Sequence, residues 1–268
     1  MPEGHKTHRI AIDHREAFAG DLIKVTSPQG RFRAQARRVS GRRLENVEAA
    51  GKHLFYHFEG ERIVHVHLGR YGKFREQKFQ KKPPTPIGAV RMRMLAPERV
   101  LDLNGPTTCR VIDAAVREDV LQKLGPDPLA GGKSSDVFEK IRQSSKPIAA
   151  LLLDQSIVAG IGNIFRAEML FSAGLDPATP GRDLSKADFN RLWKIIVRQM
   201  KVGLKYGKII TVTAKEAGMP LDRVEGNDRF HVYGNEYCRK CACEVTKEDI
   251  GGRRLYFCKG CQSPVTHQ

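Results

Sequence analysis

Four cysteines near the C-terminus have the spacing of a metal site. They follow the pattern C-x2-C-x16-C-x2-C, at Cys238, Cys241, Cys258 and Cys261. Each C-x2-C pair can direct two thiolates at one tetrahedral ion, and a hairpin would bring the two pairs together. We therefore predict one structural zinc ion per chain. The run "CRKCAC" leaves one alternative open, because Cys243 could take the position of Cys241.

The N-terminus offers a second group with chemical potential. The chain begins Met-Pro-Glu-Gly. Removal of Met1 would leave the secondary amine of Pro2 as the terminus, with the carboxylate of Glu3 beside it. The plainer interpretation is an ordinary helix entry without a chemical role, and the first residues alone do not decide between the two.

A glycine-rich turn provides a third candidate site. In "LLLDQSIVAGIGNIFRAEML", Gly160, Gly162 and Asn163 lie between two stretches with helical periodicity. Free N–H groups at the start of the second helix, with the Asn163 amide, would form a phosphate site. A simple helix–helix turn would have the same pattern, but together with the charge of the chain and the predicted zinc module the motif points to a site that binds the DNA backbone.

That charge points to a polyanionic partner. The 268 residues carry a formal net charge of +16. Because the basic residues are dispersed rather than gathered on one amphipathic helix, nucleic acid is favoured over a membrane surface. No apolar run reaches the roughly 18 residues of a membrane span, and no secretory signal is recognisable. The six cysteines therefore do not suggest a secreted disulfide framework.

The elements that position these residues change in type along the chain. Helical spacing from His5 to Gly20 is followed by alternation, and "KHLFYHF" and "RIVHVHL" flank the turn Glu59–Glu61 as a hairpin. In "AVRMRML" the arginines alternate with apolar residues, which predicts strands with a basic outer face. "QKKPPTPIG" (80–88) is a proline-rich loop.

From about residue 118 the pattern is helical. The last of these helices is predicted to start at a capping box of Ser185 and Asp188 and to stop at Gly207. An irregular stretch and the cysteine module complete the chain. We predict three domains: 1–118, 119–222 and 223–268.

Five motifs together resemble one family. "MPEGH", "GKHLF", "GPDPL", "LLLDQ…AGIGNIFRAE" and "GRRLYFC…CQ" occur in the order found in the formamidopyrimidine-DNA glycosylase and endonuclease VIII family. The match covers the whole chain and is similar to the endonuclease VIII side, in an actinobacterial-type branch. The resemblance implies a leading helix with an N-terminal β-sandwich, a helix–two-turn–helix domain and a zinc finger. It also implies a bifunctional DNA glycosylase and abasic-site lyase of base excision repair.

The resemblance gives Pro2 and Glu3 a role. An α-amine titrates near 7.7–8, so about a fifth is unprotonated near neutral pH, against less than one lysine in a thousand. Attack of the Pro2 amine on the sugar C1′ would give a cationic iminium, the electron sink needed for β-elimination. Glu3 would act as general acid on the opened sugar ring.

Other family positions carry over one by one. Lys52 would contact the lesion or a phosphate and assist proton transfer, and Asn163 would hold a phosphate. Lys123 would be a basic DNA contact. Arg253 would bind phosphate from the zinc-finger hairpin and is linked to δ-elimination, with Arg254 as the rival if the register shifts by one. Where relatives often place a Gln-Leu-Tyr wedge, this chain has "HLGRYG", so Arg70 and Tyr71 are the candidate residues to fill the gap.

The implied partner is damaged DNA, and we expect a monomer that acts in the bacterial cytoplasm without a membrane. Two alternatives stay open. One is a damage-binding protein with little turnover on the same scaffold, which a retained Met1 would favour. The other is a zinc-ribbon RNA-binding protein, which explains the charge and the cysteines but leaves Pro2-Glu3, Lys52 and "GIGN" as coincidences.

Overall fold

A computed structural model describes residues 2–262 of the chain. The described residues divide into two units. The first comprises residues 2–3 and 7–123, and the second comprises residues 4–6 and 124–262. None of the helices in the described part of the chain combines the length and the apolar character that a membrane span needs.

The first unit is built on one antiparallel sheet. Its helices are α1 (Gly4–Phe18, of which the first three residues belong to the second unit), α2 (Arg33–Val39) and α3 (Ala114–Gln122). Its strands are β1 (Leu22–Thr26), β2 (Arg42–Ala50), β3 (His53–Phe58), β4 (Arg62–His67), β5 (Lys73–Lys78), β6 (Val90–Leu95), β7 (Arg99–Asn104) and β8 (Thr108–Ile112). The strand order is β5-β7-β6-β1-β2-β3-β4-β8. The predicted helix and the predicted hairpin of β3 and β4 are both confirmed.

The sheet folds back on itself as a sandwich. Strands β3 and β5 are five steps apart in the order, about 24 Å in a flat sheet at roughly 4.8 Å per strand. Yet the rings of Tyr56 on β3 and Phe74 on β5 lie 6.3 Å apart. His14 of α1 reaches the same place, with its Nδ1 2.7 Å from the Tyr56 hydroxyl. One apolar core therefore lies between the two halves of the sheet.

The basic outer face predicted for these strands is wrong at two positions. Arg93 on β6 is buried, with its Nε 3.2 Å from Asp102 on β7, and it donates a hydrogen bond to the Pro84 carbonyl of the proline-rich loop. His65 on β4 is also buried. The alternation of polar and apolar residues locates the two faces correctly, but it does not show that a loop or further side chains cover part of the outer face.

The second unit is helical until its C-terminal part. It contains α4 (Ser134–Arg142), α5 (Ile148–Leu151), α6 (Asn163–Ala173), α7 (Lys186–Tyr206) and α8 (Ala214–Ala217). The Ser185 hydroxyl accepts a hydrogen bond from the Asp188 N–H at the start of α7, and Gly207 ends that helix at a φ of 66°. Both predicted boundaries of α7 are confirmed. The cap is one-sided, because the Asp188 carboxylate accepts from the Ser185 hydroxyl instead of closing the predicted box.

A two-stranded ribbon ends the described chain. It consists of β9 (Thr246–Ile250) and β10 (Arg253–Phe257), paired antiparallel. The turn between them is Gly251-Gly252, with φ of 65° and 72°. Glycine adopts such angles without strain, and two in succession are the requirement of a tight two-residue hairpin turn.

Candidate active site and metal centre

Pro2 and Glu3 lie at the start of α1. Glu3 is the N-cap of this helix in extended conformation, and its side chain is fully buried. Its carbonyl accepts a hydrogen bond from the Thr7 N–H at 3.2 Å. The N-terminus of a helix carries partial positive charge, so it favours a carboxylate at this position. Pro2 is half-buried, and Met1 lies outside the described residues.

The residue after Glu3 is in contact with the glycine-rich turn. The Gly4 N–H donates to the Gly160 carbonyl at 2.8 Å. A Cβ on Gly4 would lie 2.7 Å from the Gly160 Cα, so glycine is required at this position. Gln155 braces the turn from inside: its Oε1 accepts from the Gly160 N–H at 3.0 Å, and its Nε2 donates to the Ile161 carbonyl at 3.0 Å.

Asn163, the first residue of α6, is held by the terminal ribbon. Its Nδ2 donates to the Arg254 carbonyl at 2.8 Å, and its Oδ1 accepts from Arg166 at 2.5 Å. The fully buried Arg166 guanidinium also donates to the carbonyls of Ile250 at 2.7 Å and Arg253 at 3.1 Å. Arg166 therefore fixes the Asn163 amide and the turn of the ribbon together. Sequence reasoning missed Arg166, whose only signal is a charged residue inside an apolar helix.

The ribbon geometry distinguishes Arg253 from Arg254. Side chains two apart on a strand share a face. Arg253 is thus on the face of the buried Leu255, whereas Arg254 is on the opposite face with Tyr256. Both arginine side chains are exposed, and their carbonyls are those bound by Arg166 and Asn163. The two arginine side chains therefore lie on opposite faces of the ribbon, and the choice of Arg253 over Arg254 stays a prediction.

Lys52 lies at the turn between β2 and β3, next to a group of histidines. His53 and His67 are direct partners across the two strands, with ring centroids 4.9 Å apart. Burial and the positive charge of Lys52 lower the pKa of His67, and burial, His67 and Lys52 lower the pKa of His53 to about 4. These imidazoles are therefore neutral near Lys52. Sequence reasoning missed His67 as a companion of Lys52, although the paired positions of the hairpin could have placed it there.

Arg70 and Tyr71 form the tip of a tight loop after β4. The Gly72 N–H donates to the Leu68 carbonyl at 2.9 Å, which closes the loop. A Cβ on Gly72 would lie 2.2 Å from that carbonyl oxygen. Tyr71 is 75% exposed, with the Arg70 guanidinium 5.5 Å from its ring centroid. An exposed aromatic ring with a stacked cation on a rigid loop suits insertion between bases.

Lys123 is the C-cap of α3 and is exposed. It is the last residue of the first unit. Its position is compatible with a phosphate contact, and its surroundings give it no further distinction from other exposed lysines.

The four predicted cysteines converge at the end of the second unit. The Sγ atoms of Cys238, Cys241, Cys258 and Cys261 all lie within 4.8 Å of one another. Two of the separations are 3.9 Å, from Cys238 to Cys261, and 3.4 Å, from Cys241 to Cys258. Four sulfurs at about 2.3 Å from one tetrahedral ion would be about 3.8 Å apart, so this cluster can bind a metal ion. The cluster contains Cys241 and not Cys243.

A buried carboxylate organises the segment that links α7 to the cysteines. Glu168 of α6 is fully buried and accepts hydrogen bonds from the N–H groups of Val232 and Tyr233 at 2.9 and 2.7 Å. It also accepts from the Thr211 hydroxyl at 2.6 Å and the His231 N–H at 2.8 Å. Burial alone would raise the pKa of Glu168, but hydrogen bonds from His231 and Thr211 lower it overall. Sequence reasoning missed this network because its partners are distant in sequence.

Comparisons with known proteins agree with this architecture. The family model described as the formamidopyrimidine-DNA glycosylase N-terminal domain matches residues 1–112, and the H2TH domain of the same enzymes matches residues 124–215. Endonuclease 8 1 of Mycobacterium tuberculosis strain H37Rv is 43% identical over 98% of this chain and 100% of its own length. The chain belongs to the formamidopyrimidine-DNA glycosylase and endonuclease VIII family.

The predicted family membership is therefore confirmed, and other members agree with it. A formamidopyrimidine-DNA glycosylase of Thermus thermophilus is 32% identical over 98% of this chain and 97% of its own length. The structure of Lactococcus lactis Fpg in complex with DNA containing an abasic site superposes with a TM-score of 0.80, over 97% of this chain and 99% of that one. At 23% identity this second likeness shows the fold alone.

Proposed function

We propose that this protein is a bifunctional DNA glycosylase and abasic-site lyase that removes oxidised bases from DNA in base excision repair. The observation that carries the proposal is the match to endonuclease 8 relatives over almost the whole length of both chains. Its partner is damaged DNA in the bacterial cytoplasm, and the net charge of +16 suits that polyanion. We further propose the three-domain division at residues 118 and 222.

Pro2 and Glu3 carry the chemistry in this proposal. After loss of Met1, the Pro2 nitrogen bonds to the sugar C1′ while the bond from C1′ to the damaged base breaks. Glu3 takes up the proton that the Pro2 nitrogen releases and delivers it to the ring oxygen as the sugar opens, which leaves a cationic iminium between Pro2 and C1′. That cation accepts the electron pair when the C2′ proton is removed and the 3′ phosphate leaves. Glu3 is fully buried at the start of α1, and this shielding from bulk water supports its role in proton transfer.

The remaining residues hold the DNA. Lys52 contacts the lesion or a phosphate and assists proton transfer, and Asn163, Lys123 and Arg253 bind phosphates. The fixed orientation of the Asn163 amide by Arg166 supports its role, since a preset donor loses less entropy on binding. Arg70 and Tyr71 fill the gap left by the flipped base, for which their exposure at a loop tip is suitable.

We propose that the cysteine cluster holds one zinc ion with a structural role. Four thiolates and no open position are the donor set of structural zinc sites. When bound, zinc would fix the ribbon of β9 and β10, whose turn is held by Arg166. The metal would then support the phosphate contacts of Asn163 and Arg253 without taking part in the chemistry at Pro2.

Borohydride trapping tests the nucleophile. The purified enzyme should lack Met1, and borohydride should link Pro2 to DNA that contains an abasic site. Sequencing of the linked peptide identifies the attached residue. A link at Lys52, or full activity of protein that retains Met1, would contradict the proposal. Binding without any trapped product would instead favour the damage-binding alternative.

Glu3→Gln should separate the two activities. The substitution removes the acid that opens the sugar ring but leaves the Pro2 amine. We expect base removal to fall by a larger factor than cleavage of a preformed abasic site, measured on two oligonucleotides that differ only in the lesion. Equal losses on both substrates would show that Glu3 is needed for binding or folding rather than for base removal.

The metal assignment has a matched pair of variants. Cys241→Ser should lose zinc and weaken DNA binding, because removal of a structural ion unfolds its site. Cys243→Ser should keep one zinc per chain and bind DNA as the wild type does. Metal analysis of both purified variants decides the point. Loss of zinc from Cys243→Ser alone would exchange the roles of the two cysteines.

A further inference from the structure

A pair of histidines beside Lys52 has a geometry that the mechanism above does not use. His53 on β3 and His65 on β4 lie on the same outer face of the hairpin. The Nδ1 of His53 is 2.8 Å from the Nε2 of His65, and the ring centroids are 5.1 Å apart. His65 is buried against Phe55, with stacked rings 4.9 Å apart, whereas His53 is half-exposed.

The second nitrogen of His65 decides which ring donates in this hydrogen bond. The Nδ1 of His65 is buried and has no hydrogen-bond partner among the described residues. A hydrogen on that atom would be an orphaned buried N–H, which folded proteins almost never contain. The hydrogen of His65 is therefore on Nε2, where it donates to the Nδ1 of His53. His53 must then carry its own hydrogen on Nε2.

The same constraint keeps His53 neutral. If His53 took up a second proton, its Nδ1–H would have to donate to His65, and the hydrogen of His65 would move to the orphaned Nδ1. Protonation thus costs the burial of an unpaired N–H in addition to a charge. Burial, with the neighbouring His67 and Lys52, lowers the pKa of His53 to about 4, in agreement with this argument.

The charged groups around the pair reinforce the neutral state. Lys52 and His67 adjoin His53, and Arg110 on β8 is the direct partner of His65. Glu48 on β2, the direct partner of Phe55, is occupied by His57 at 3.0 Å and by Arg117 at 2.5 Å. The positive charges of Lys52 beside His53 and of Arg110 beside His65 oppose protonation of either ring.

The outer end of His53 is accessible. Its Nε2 has no hydrogen-bond partner among the described residues and is not among the buried unpartnered atoms, so solvent reaches it. We propose that His53, positioned by His65, donates a hydrogen bond from Nε2 to a phosphodiester oxygen of the bound DNA strand, next to the contact made by Lys52. A neutral donor adds a hydrogen bond there without placing a second positive charge beside that lysine. This inference rests on the function proposed above.

Binding to a duplex with a tetrahydrofuran abasic-site analogue tests the contact. His53→Phe keeps the stacking on His65 but removes the donor, so affinity should fall about five-fold, the effect of one neutral hydrogen bond of roughly 1 kcal/mol. The slope of log affinity against log salt concentration should not change, because no charge is lost. His53→Gln places an N–H near the same position and should recover most of the affinity. His57→Phe, on the same strand face, is the matched control and should bind as the wild type does.

Nitrogen chemical shifts of the wild-type protein test the positioning directly. Both His53 and His65 should have the Nε2–H form and stay neutral from about pH 5.5 to 8, above the lowered pKa values of buried imidazoles. His65→Phe removes the donor that fixes the tautomer of His53, so the Nδ1–H form of His53 should appear beside the Nε2–H form and DNA affinity should fall. An Nδ1–H form of His53 in the wild type, or unchanged affinity of His53→Phe, would overturn the inference. If the wild type links to abasic DNA at Pro2 while His53→Phe binds normally, this inference alone fails; if no link forms, the proposed function fails.

Discussion

At the scale of single residues, the tightest steric constraint near the proposed nucleophile lies one position after Glu3. Gly4 and Gly160 meet through their backbones, and Gln155 holds the Gly160 N–H from the other side. Such contacts leave no room for a side chain on Gly4. The position of the helix start therefore depends on the absence of a side chain at Gly4. The same absence sets the direction of the chain toward Pro2.

Gly4→Ala should be destabilising and should impair catalysis. Its Cβ would lie 2.7 Å from the Gly160 Cα and 3.0 Å from its carbonyl oxygen, both backbone atoms that cannot rotate away. Overpacking of this kind costs about 1–3 kcal/mol, a drop in melting temperature of several degrees. The imine yield at Pro2 should fall by more than DNA affinity. Calorimetry and borohydride trapping measure the two effects.

Glu16→Ala, on the exposed side of the same helix, provides the control and should change neither quantity. If Gly4→Ala had the melting temperature and the trapping yield of the wild type, the turn would be free to move and admit a methyl group. The close approach of the Gly4 and Gly160 backbones would then not be needed for function.

Predictability from sequence differed sharply between kinds of residue. The cysteine cluster was predictable because tetrahedral coordination of an ion requires a short local spacing of its candidate ligands. Gln155, Arg166 and His65 were not, because each acts through partners that only the folded chain brings close. A buried arginine bound to carbonyls, or a histidine bound to another histidine, leaves no periodic trace in the sequence.

At the scale of elements, α6 connects three parts of the second unit through buried polar side chains. Arg166 binds the turn of the terminal ribbon, and Glu168 binds the segment that contains Thr211 and His231. His231 continues the chain of contacts, with its Nε2 3.3 Å from the half-exposed Glu216 of α8. Helical periodicity predicted where α6 lies, but not that its polar residues, rather than its apolar ones, would determine the loops around it.

The pairing of His231 makes the stability of this segment dependent on pH. Burial alone would lower the pKa of His231, but hydrogen bonds and charges from Glu168 and Glu216 raise it overall. The stability that the protonated ring contributes is therefore complete below its ordinary pKa of 6.5 and is lost as pH rises through the raised value. The lowered pKa of Glu168 has the opposite consequence: its contribution is complete above 4.5 and is lost as pH falls.

His231→Gln should consequently cost more stability at pH 6 than at pH 9. We expect about 1–2 kcal/mol at pH 6, the size of a buried charge-assisted hydrogen bond, and less at pH 9, where the wild-type ring is also neutral. Urea unfolding of both proteins at the two pH values gives the difference.

His8→Gln, outside this network, serves as the reference. Its free energy of unfolding should differ from that of the wild type by the same small amount at both pH values. A cost of His231→Gln that does not depend on pH would mean that the ring stays neutral in the folded protein. The contacts with Glu168 would then be hydrogen bonds without a charge.

At the scale of the whole molecule, the basic surplus and the assigned contacts should act in different ways. A net charge of +16 attracts any DNA, but only the cations that touch phosphates determine how steeply binding depends on salt. Lys123, Asn163 and Arg253 are proposed to touch phosphates, whereas Arg70 and Tyr71 are proposed to touch bases. Phosphate contacts position the protein without regard to sequence, and base contacts specify.

A salt titration of binding separates these roles. Each phosphate neutralised by a cation contributes about −0.9 to the log–log slope on duplex DNA. Lys123→Ala and Arg253→Ala should therefore each flatten the slope by about one unit and weaken binding to every lesion alike. Asn163→Ala removes a neutral donor, so affinity should fall while the slope stays the same. Arg254→Ala is the matched control for Arg253→Ala, since it removes the neighbouring exposed arginine on the other face of the ribbon.

Repeating the titration with two lesions and two opposite bases tests the loop residues. Tyr71→Ala should change the preference for the opposite base at an unchanged salt slope, because the exposed ring carries no charge and is proposed to stack on bases. Arg253→Ala should leave that preference as it is in the wild type. If Arg253→Ala changed the preference and kept the slope, the ribbon would contact bases and the division between phosphate and base contacts would be wrong. If Arg254→Ala flattened the slope instead, the phosphate contact would belong to the opposite face of β10.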